Sequence, residues 1–210
     1  KLHAEGTILS IYAALATSVV LRFAYAVEAE SIVLVASGSL GRGMPDDFYD
    51  RVADIVTARG KRLVLDSSGR GLAGGLSGSK VFLVKPSLEE LRALTGEMLE
   101  SENEIAGAAR ALVAQGASQN VAVTLGEDGA LLANADCMLR LPAIKVDAVS
   151  AVGSGDSFVA AMVFGLVSGR SVEDAFRLGV AAGAAAIMTP GTDLARSSDI
   201  YRLYKSAYTP

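Results

Sequence analysis

Residues 31–43 read SIVLVASGSLGRG, and this stretch decides the fold class. Residues 32–36 are apolar at consecutive positions, which is typical of a strand buried on both faces in a parallel sheet. The glycines within 38–43 end that strand. Apolar residues then recur at helical spacing from Phe48 to Val56, and Gly60 ends the helix that this spacing predicts.

The same alternation of strand and helix continues along the chain. Further strands are predicted at 62–66, 80–85 and 120–125, and a hairpin of two short strands at 130–133 and 138–141. Helices are predicted within 67–78 and at 87–95, 102–115, 156–167, 172–188 and 198–208. Repeated strand–helix units predict an α/β fold, in which a mostly parallel sheet lies between two layers of helices. Ligands bind such sheets beyond the carboxyl ends of the strands.

The composition excludes several kinds of site. The net charge is −4 and the basic residues form no run, so no nucleic-acid surface is expected. Cys137 and His3 are the only residues of their types, which excludes an intrachain disulfide and a cysteine-based zinc site and argues against Ser-His-Asp catalysis. The cysteine usage fits the reducing cytoplasm, where we expect this protein.

The segment at residues 8–27 is apolar and contains one charge, Arg22. Its length matches a membrane span of about 20 residues. Serine and threonine interrupt it, and no basic leader precedes it, so a buried strand or helix is favoured over a membrane or signal segment. We therefore expect no membrane partner.

A second glycine-rich stretch, SAVGSGDSF at residues 150–158, precedes an apolar helical segment. Glycine lets the backbone approach a ligand closely, and the first N–H groups of a helix are unpaired and carry partial positive charge. The stretch therefore predicts an anion pocket with Asp156 at its rim as the base of a phosphoryl transfer. The alternative is a plain loop in which Asp156 is a favourable acid in the first helical turn.

Three shorter segments allow both a structural and a functional interpretation. The loop at 38–43 is either a strand-to-helix turn or a phosphate loop. Ser87 and Glu90 have the spacing of a capping box, while Lys85 at a strand end is a candidate phosphate ligand and Glu90 a candidate for a magnesium shell. Asp66 is either a helix cap or a metal-shell ligand.

The order of these segments resembles the PfkB/ribokinase family of carbohydrate kinases over residues 31–205. The segments that carry the resemblance are SGSLGRG (37–43), LDSSG (65–69), KPSLEEL (85–91), TLGEDGAL (124–131), VGSGDSFVAA (152–161) and GVAAGAAAIMTPGT (179–192). The resemblance implies a ribokinase-like three-layer αβα sandwich with a β lid over the sugar. The lid and the first strands of the family precede SGSL. We therefore expect them to be largely absent from this chain, with residues 1–30 an atypical remnant of the lid and substrate region and 31–210 the nucleotide-binding core.

The resemblance also implies roles for individual residues. Asp156 would be the catalytic base, above an anion hole formed by Val152, Gly153, Ser154 and Gly155. The nucleotide would be bound by Lys85, Ser87, Thr124, Gly126 and Gly129, with Val180 and Ala184 beside the adenine. Ser39 would contact the sugar phosphate, and Glu90 would hold Mg²⁺ through water. A monovalent cation such as K⁺ would lie among Ser150, Val152, Ala186, Thr189, Gly191 and Asp193. The family usually has asparagine at position 87 and alanine at position 154.

The resemblance is strongest to the bacterial minor 6-phosphofructokinases within that family. It implies ATP- and Mg²⁺-dependent phosphorylation of a sugar phosphate, with fructose 6-phosphate converted to fructose 1,6-bisphosphate. The alternatives are a 1-phosphofructokinase, a tagatose-6-phosphate kinase, or a non-catalytic domain that binds a nucleotide or a sugar phosphate. A homodimer is expected for the full-length protein, because the lids of the family often dimerise, and this chain alone is expected to have little activity.

Overall fold

The structure, a computed structural model, describes residues 9–12, 33–78, 80–191 and 193–208. The strands are β1 (Leu9–Tyr12), β2 (Val33–Ser37), β3 (Arg62–Asp66), β4 (Val81–Val84), β5 (Ser118–Thr124), β6 (Ala130–Asn134) and β7 (Met138–Leu141). The helices are α1 (Phe48–Thr57), α2 (Gly69–Gly75), α3 (Leu88–Thr95), α4 (Glu102–Ala114), α5 (Ser154–Val167), α6 (Val172–Ile187) and α7 (Ser197–Tyr208). A short 3₁₀ helix spans Gly126–Asp128.

The strands form one sheet in the order β1-β2-β3-β4-β5-β6-β7. Strands β1 to β5 pair in parallel, with Ser37 opposite Asp66 and Val84 opposite Val121. The connections at 125–129 and 135–137 are too short for a parallel crossover, so β6 and β7 form the predicted hairpin at the sheet edge. The predicted α/β class with a mostly parallel sheet is confirmed.

The chain divides into two compact units. Unit 1 comprises residues 1–123 and 133–137, and Unit 2 comprises residues 124–132 and 138–210. The predicted division near residue 30 stays a prediction, because residues 13–32 lie outside the described ranges.

The core of Unit 1 follows from its continuous apolar strands. Leu63, Val64 and Leu65 of β3 have no exposed surface, as expected for the centre of a sheet covered on both faces. Burying such side chains contributes roughly 1.5–3 kcal/mol each relative to leaving them in water. Tyr49 and Val52 lie on the buried face of α1, which confirms the helical spacing seen in the sequence.

Polar residues explain why β5 begins earlier than predicted. The sequence predicted a strand from Asn120, but β5 begins at Ser118. Both side chains are buried, and both have partners: the Ser118 hydroxyl donates to the carbonyl of Asn120 at 2.8 Å, and the Asn120 amide donates to the carbonyl of Phe82 at 2.9 Å. These bonds satisfy groups that would otherwise be costly to bury, so polar residues occupy a strand end that the apolar pattern missed.

Within Unit 2, an ionic cluster joins α6 to α7. Arg170 Nη1 lies 2.7 Å from Asp174 Oδ2, and the Tyr204 hydroxyl also donates to Asp174. Burial disfavours the charged form of Asp174, but the hydrogen bonds from Tyr204 and Arg170 outweigh it and hold the pKa of that carboxyl below its usual value. The cluster fixes α7 against the start of α6, and no pattern in the sequence predicts it.

Residues 8–27 are described only in part. The strand β1 pairs in parallel with β2, so four residues of this segment form a strand as favoured from the sequence. The rest of the segment lies outside the described residues. None of the helices in the described ranges is long and apolar enough to cross a membrane.

Candidate active site

The amino end of α5 in Unit 2 has the geometry of an anion pocket. The sequence predicted a helix from Asp156, but α5 begins at Ser154, because Gly153 takes the N-cap position with a left-handed φ of 80°. The first helical hydrogen bond runs from the amide of Ser157 to the carbonyl of Gly153 at 2.9 Å. The preceding amides, of Ser154, Gly155 and Asp156, are therefore helix-start donors without intrahelical acceptors. Asp156 is exposed in the first turn beside them.

A side-chain hydrogen bond ties this helix start to α6. The Ser154 hydroxyl donates to the carbonyl of Gly183 at 3.3 Å. Glycine favours the close approach, because a Cβ at Gly183 would lie 3.3 Å from Ser154 Oγ and one at Gly179 would lie 3.1 Å from the carbonyl oxygen of Phe158, so either side chain would push its neighbour by a few tenths of an ångström. Sequence reasoning gave the Ser154 hydroxyl no partner, so this contact was missed.

Ser150 links two segments for which the family resemblance implies a monovalent-cation site. Its hydroxyl donates to the carbonyl of Gly191 at 3.4 Å and accepts from the amide of Val152 at 3.3 Å. Its own amide donates to the carbonyl of Ile187 at 3.1 Å. The loop before α5 and the loop after α6 are therefore held together within Unit 2.

Thr189 organises the second half of the same predicted site. Its hydroxyl lies 2.8 Å from the carbonyl oxygen of Ala186 and 2.9 Å from that of Asp193. One hydroxyl proton serves one of these acceptors at a time, so at least one carbonyl oxygen keeps lone pairs for another ligand. Backbone and hydroxyl oxygens are the ligand type that hard cations prefer.

The predicted nucleotide turn of Unit 2 is a tight 3₁₀ turn after β5. The amide of Leu125 donates to the carbonyl of Gly129 at 2.8 Å, and the amide of Gly129 donates to the carbonyl of Gly126 at 3.1 Å. Gly129 has a φ of 102°, and a Cβ there would lie 2.2 Å from the carbonyl oxygen of Leu141. Gly129 is therefore required by the backbone, whatever the turn binds. Thr124, the last residue of β5, precedes the turn.

Val180 and Ala184 lie one turn apart on α6, and both are buried. Ala184 belongs to an apolar cluster with Ala181, Ala185 and Leu203. The structure thus gives Ala184 a packing role between α6 and α7, and its predicted place beside an adenine stays a prediction.

In Unit 1 the strand ends bring together two residues that the sequence considered separately. Lys85 Nζ lies 3.2 Å from Asp66 Oδ1, and the two side chains are only 8% and 15% exposed. Asp66 is the last residue of β3 and Lys85 follows β4. These strands are parallel neighbours, so the sheet places both residues at its carboxyl edge. Asp66 was interpreted as a helix cap or a metal ligand, and its ion pair with Lys85 was missed because nothing in a sequence pairs residues from two strands.

The capping box predicted at the start of α3 is confirmed. Glu90 Oε2 accepts from the amide of Ser87 at 2.8 Å, and Ser87 Oγ accepts from the amide of Glu90 at 3.2 Å. Among the described residues, no cluster of three histidine, cysteine or acidic side chains is arranged to hold a metal. The roles of Ser87 at the nucleotide and of Glu90 toward water-mediated Mg²⁺ therefore stay predictions.

The loop that carries Ser39 is anchored at Gly38. The Gly38 carbonyl accepts from the hydroxyls of Tyr49 at 2.7 Å and Ser67 at 2.8 Å, and its amide donates to the carbonyl of Asp66 at 2.9 Å. Burial, chiefly, raises the pKa of Tyr49, so this hydroxyl keeps its proton and remains a donor. Ser39 itself is exposed beyond the anchor.

The family model described as "pfkB family carbohydrate kinase" matches residues 7–199. The chain belongs to the pfkB family of carbohydrate kinases. The predicted ribokinase-like fold is confirmed by solved structures. The crystal structure of phosphofructokinase-2 from Escherichia coli in complex with potassium has a TM-score of 0.86 and 34% identity, covering 92% of this chain and 63% of the E. coli chain.

Curated relatives of this pfkB-family chain include a 6-phosphofructokinase and a 1-phosphofructokinase. The ATP-dependent 6-phosphofructokinase isozyme 2 of Mycobacterium tuberculosis is 44% identical over 182 residues, which cover 87% of this chain and 53% of the relative. The 1-phosphofructokinase of Bacillus subtilis is 36% identical over 156 residues, covering 74% of this chain and 51% of the relative. The chain thus spans about half the length of the curated relatives it matches.

Proposed function

We propose that the natural protein carrying this sequence transfers the γ-phosphoryl group of ATP to a hydroxyl of a sugar phosphate. The acceptor that we propose is fructose 6-phosphate, which gives fructose 1,6-bisphosphate. The observation that carries the proposal is the amino end of α5, where unpaired helix amides and the exposed carboxylate of Asp156 share one turn. The name of the M. tuberculosis relative supports the choice of acceptor.

The chemistry required of these groups is mainly positioning and charge stabilisation. Phosphoryl transfer passes through a loose transition state whose charge is spread over the transferred oxygens. The amides of Gly153, Ser154, Gly155 and Asp156, with the backbone of Val152, would hold that charge, and they need no reorganisation because α5 fixes them. Asp156 would accept the proton of the attacking hydroxyl late, once bonding to phosphorus has made that hydroxyl acidic.

Several residues are proposed to bind the nucleotide and its metal ion. Lys85 is a buried cation suited to a phosphate oxygen, and Glu90, whose Oε2 caps α3, would hold Mg²⁺ through water. Thr124, Gly126 and Gly129 are proposed for the nucleotide edge, with Val180 and Ala184 beside the base. Bound Mg²⁺ would neutralise charge on the phosphates of ATP.

A monovalent cation is proposed beside the anion pocket. Its ligands would be oxygens of Ser150, Val152, Ala186, Thr189, Gly191 and Asp193, whose mutual hydrogen bonds hold the two loops of Unit 2 together. Replacing Thr189 with valine removes the hydroxyl at constant shape, so activation by K⁺ should weaken, and Thr189→Ser should restore it. Equal K⁺ activation in Thr189→Val and the parent would exclude this site.

Three other functions remain as alternatives. The name of the B. subtilis relative favours a 1-phosphofructokinase, and a tagatose-6-phosphate kinase would use the same site. A non-catalytic domain that binds a nucleotide or a sugar phosphate would need no base at position 156. The proposed partners are small molecules and, for the full-length protein, a second copy of itself, and the proposed location is the cytoplasm.

A coupled assay of ADP release decides between these functions. The natural protein would be supplied with ATP, Mg²⁺ and one of several acceptors: fructose 6-phosphate, fructose 1-phosphate, tagatose 6-phosphate, fructose or a nucleoside. We expect the highest kcat/KM with fructose 6-phosphate. A preference for an unphosphorylated sugar or a nucleoside would overturn the proposal, and binding without turnover of any acceptor would favour the non-catalytic domain.

A further inference from the structure

We propose that Asp66 is a positioning residue that couples the substrate loop, defined as residues 38–43, to Lys85. The proposal rests on the proposed function, because it takes Ser39 as the contact to the sugar phosphate and Lys85 as a contact to the nucleotide. All the contacts that carry it lie within Unit 1.

The first contact is the ion pair between Asp66 and Lys85. Lysine is almost never as buried as Lys85, which is 7% exposed, unless a charge partner accompanies it. Asp66 Oδ1 lies 3.2 Å from its Nζ and so provides that partner. An ammonium group has three donors, and one directed at Asp66 leaves others for a phosphate oxygen. The position of the Asp66 carboxylate thus sets where the charge of Lys85 lies.

The second contact runs through the backbone of the same residue. The carbonyl of Asp66 accepts from the amide of Gly38 at 2.9 Å, and the next residue, Ser67, donates its hydroxyl to the carbonyl of Gly38 at 2.8 Å. Both polar groups of Gly38 are therefore held from the end of β3. Gly38 has a φ of 110°, which favours glycine, and it immediately precedes Ser39.

The sheet order turns these two contacts into a link. Strand β3 lies between β2 and β4, so its last residue is the shared neighbour of the loop after β2 and of the lysine after β4. A ligand that orders Ser39 also orders Gly38, and through the hydrogen bond from the Gly38 amide it holds Asp66 in place. A ligand that binds Lys85 holds the Asp66 side chain in place through the ion pair. The geometry thus makes each ligand tighten the binding of the other, by the same factor in both directions.

The test is a pair of titrations on the natural protein and its variants. The affinity for a non-hydrolysable ATP analogue is measured with and without fructose 6-phosphate, and the affinity for fructose 6-phosphate with and without the analogue. In the parent we expect each ligand to tighten the other by about fivefold or more. Asp66→Asn should weaken analogue binding by about tenfold and reduce the coupling factor to about 1.

Two further variants separate the two contacts. Ser67→Ala loosens the substrate loop without touching Lys85, so it should weaken fructose 6-phosphate binding and leave the affinity for the analogue alone unchanged. Asp54→Asn is the matched control, because Asp54 pairs with Lys80 before the other end of β4 and both side chains are exposed. It should change neither affinity nor coupling.

A conservative variant at position 66 controls for unfolding. Asp66→Glu keeps the carboxylate and should restore coupling in part, which guards against a loss caused by unfolding of Asp66→Asn. Parent-like coupling in a folded Asp66→Asn would overturn the proposal. So would an increased Mg²⁺ requirement with intact coupling, because Asp66 would then act as a metal ligand. If the parent protein binds both ligands but binds them independently, only the coupling is overturned. If it binds no sugar phosphate, both the coupling and the proposed function are overturned.

Discussion

Gly165 of α5 lies directly against Ala175 of α6: a Cβ added at Gly165 would be 2.9 Å from the Cβ of Ala175 and 3.0 Å from its Cα. At the other end of the same helix pair, Gly183 leaves room for the Ser154 hydroxyl. The absence of side chains at these glycines lets the two helices pack closely. That packing fixes the helix start which carries Asp156.

Gly165→Ala should therefore destabilise the protein even though alanine is the better helix former. Overpacking costs typically 1–3 kcal/mol, against a gain in helix propensity of about 1 kcal/mol, so a net loss of about 1 kcal/mol is expected. Gly107→Ala in α4 is the matched control, because no atom beyond its chain neighbours and the adjoining helix backbone lies within 4 Å of the added Cβ. It should stabilise by about 0.5–1 kcal/mol. Urea denaturation of both variants measures the two changes, and equal changes would contradict the packing argument.

Gly153 and Gly169 flank the two ends of α5 with the same left-handed φ of 80°. Alanine at either position should cost about 1–2 kcal/mol of stability, because a Cβ is strained in that conformation. Only Gly153→Ala should also shift the amides of the anion pocket, and a misplacement of about 1 Å lowers turnover by roughly a hundredfold. Parallel measurement of thermal stability and kcat tests this. An equal loss of kcat in Gly169→Ala would show that strain in α5, and not the pocket, limits turnover.

Asp156→Asn should keep both ligands bound but lose the base. We expect kcat to fall by about 10²–10⁴-fold with little change in the dissociation constants for ATP and fructose 6-phosphate. Asp136→Asn, at an exposed position between β6 and β7, is the control for loss of one carboxylate and should behave like the parent. If Asp156→Asn turns over at the parental rate, Asp156 is not the base.

The sequence predicted the features that depend on residues close together in the chain. The buried strand at 62–66 and the capping box of Ser87 and Glu90 are confirmed, because apolar runs and cap spacing depend on neighbours in the chain. The start of α5 was placed two residues late, because an N-cap glycine at Gly153 leaves no side-chain signal.

Contacts between elements could not be predicted in the same way. The pairing of Asp66 with Lys85 depends on which strands are neighbours, and that of Ser154 with Gly183 depends on how closely two helices pack. The strand–helix order placed Asp66 and Lys85 at the same sheet edge, so the region was predicted while the bond was not. Substrate roles, such as that of Ser39, came from the family resemblance and stay predictions.

The start of α4 gives a pH-dependent contribution to stability. The Glu104 carboxylate accepts from the amides of Ser101 and Glu100, both at 2.8 Å, and these bonds, led by that from the Ser101 amide, hold its pKa below the usual value of 4.5. Because the pKa is lower in the folded state, the contribution is fully present above pH 4.5 and is lost as the pH falls through the folded value.

Glu104→Gln keeps a capping side chain that cannot titrate. The stability difference between the parent and Glu104→Gln should therefore be constant at neutral pH and change only in acid. Denaturation from about pH 7 to pH 3 measures it, with Glu97→Gln as the control for charge removal alone. A difference that is independent of pH over that range would mean that the carboxylate charge does not support the cap.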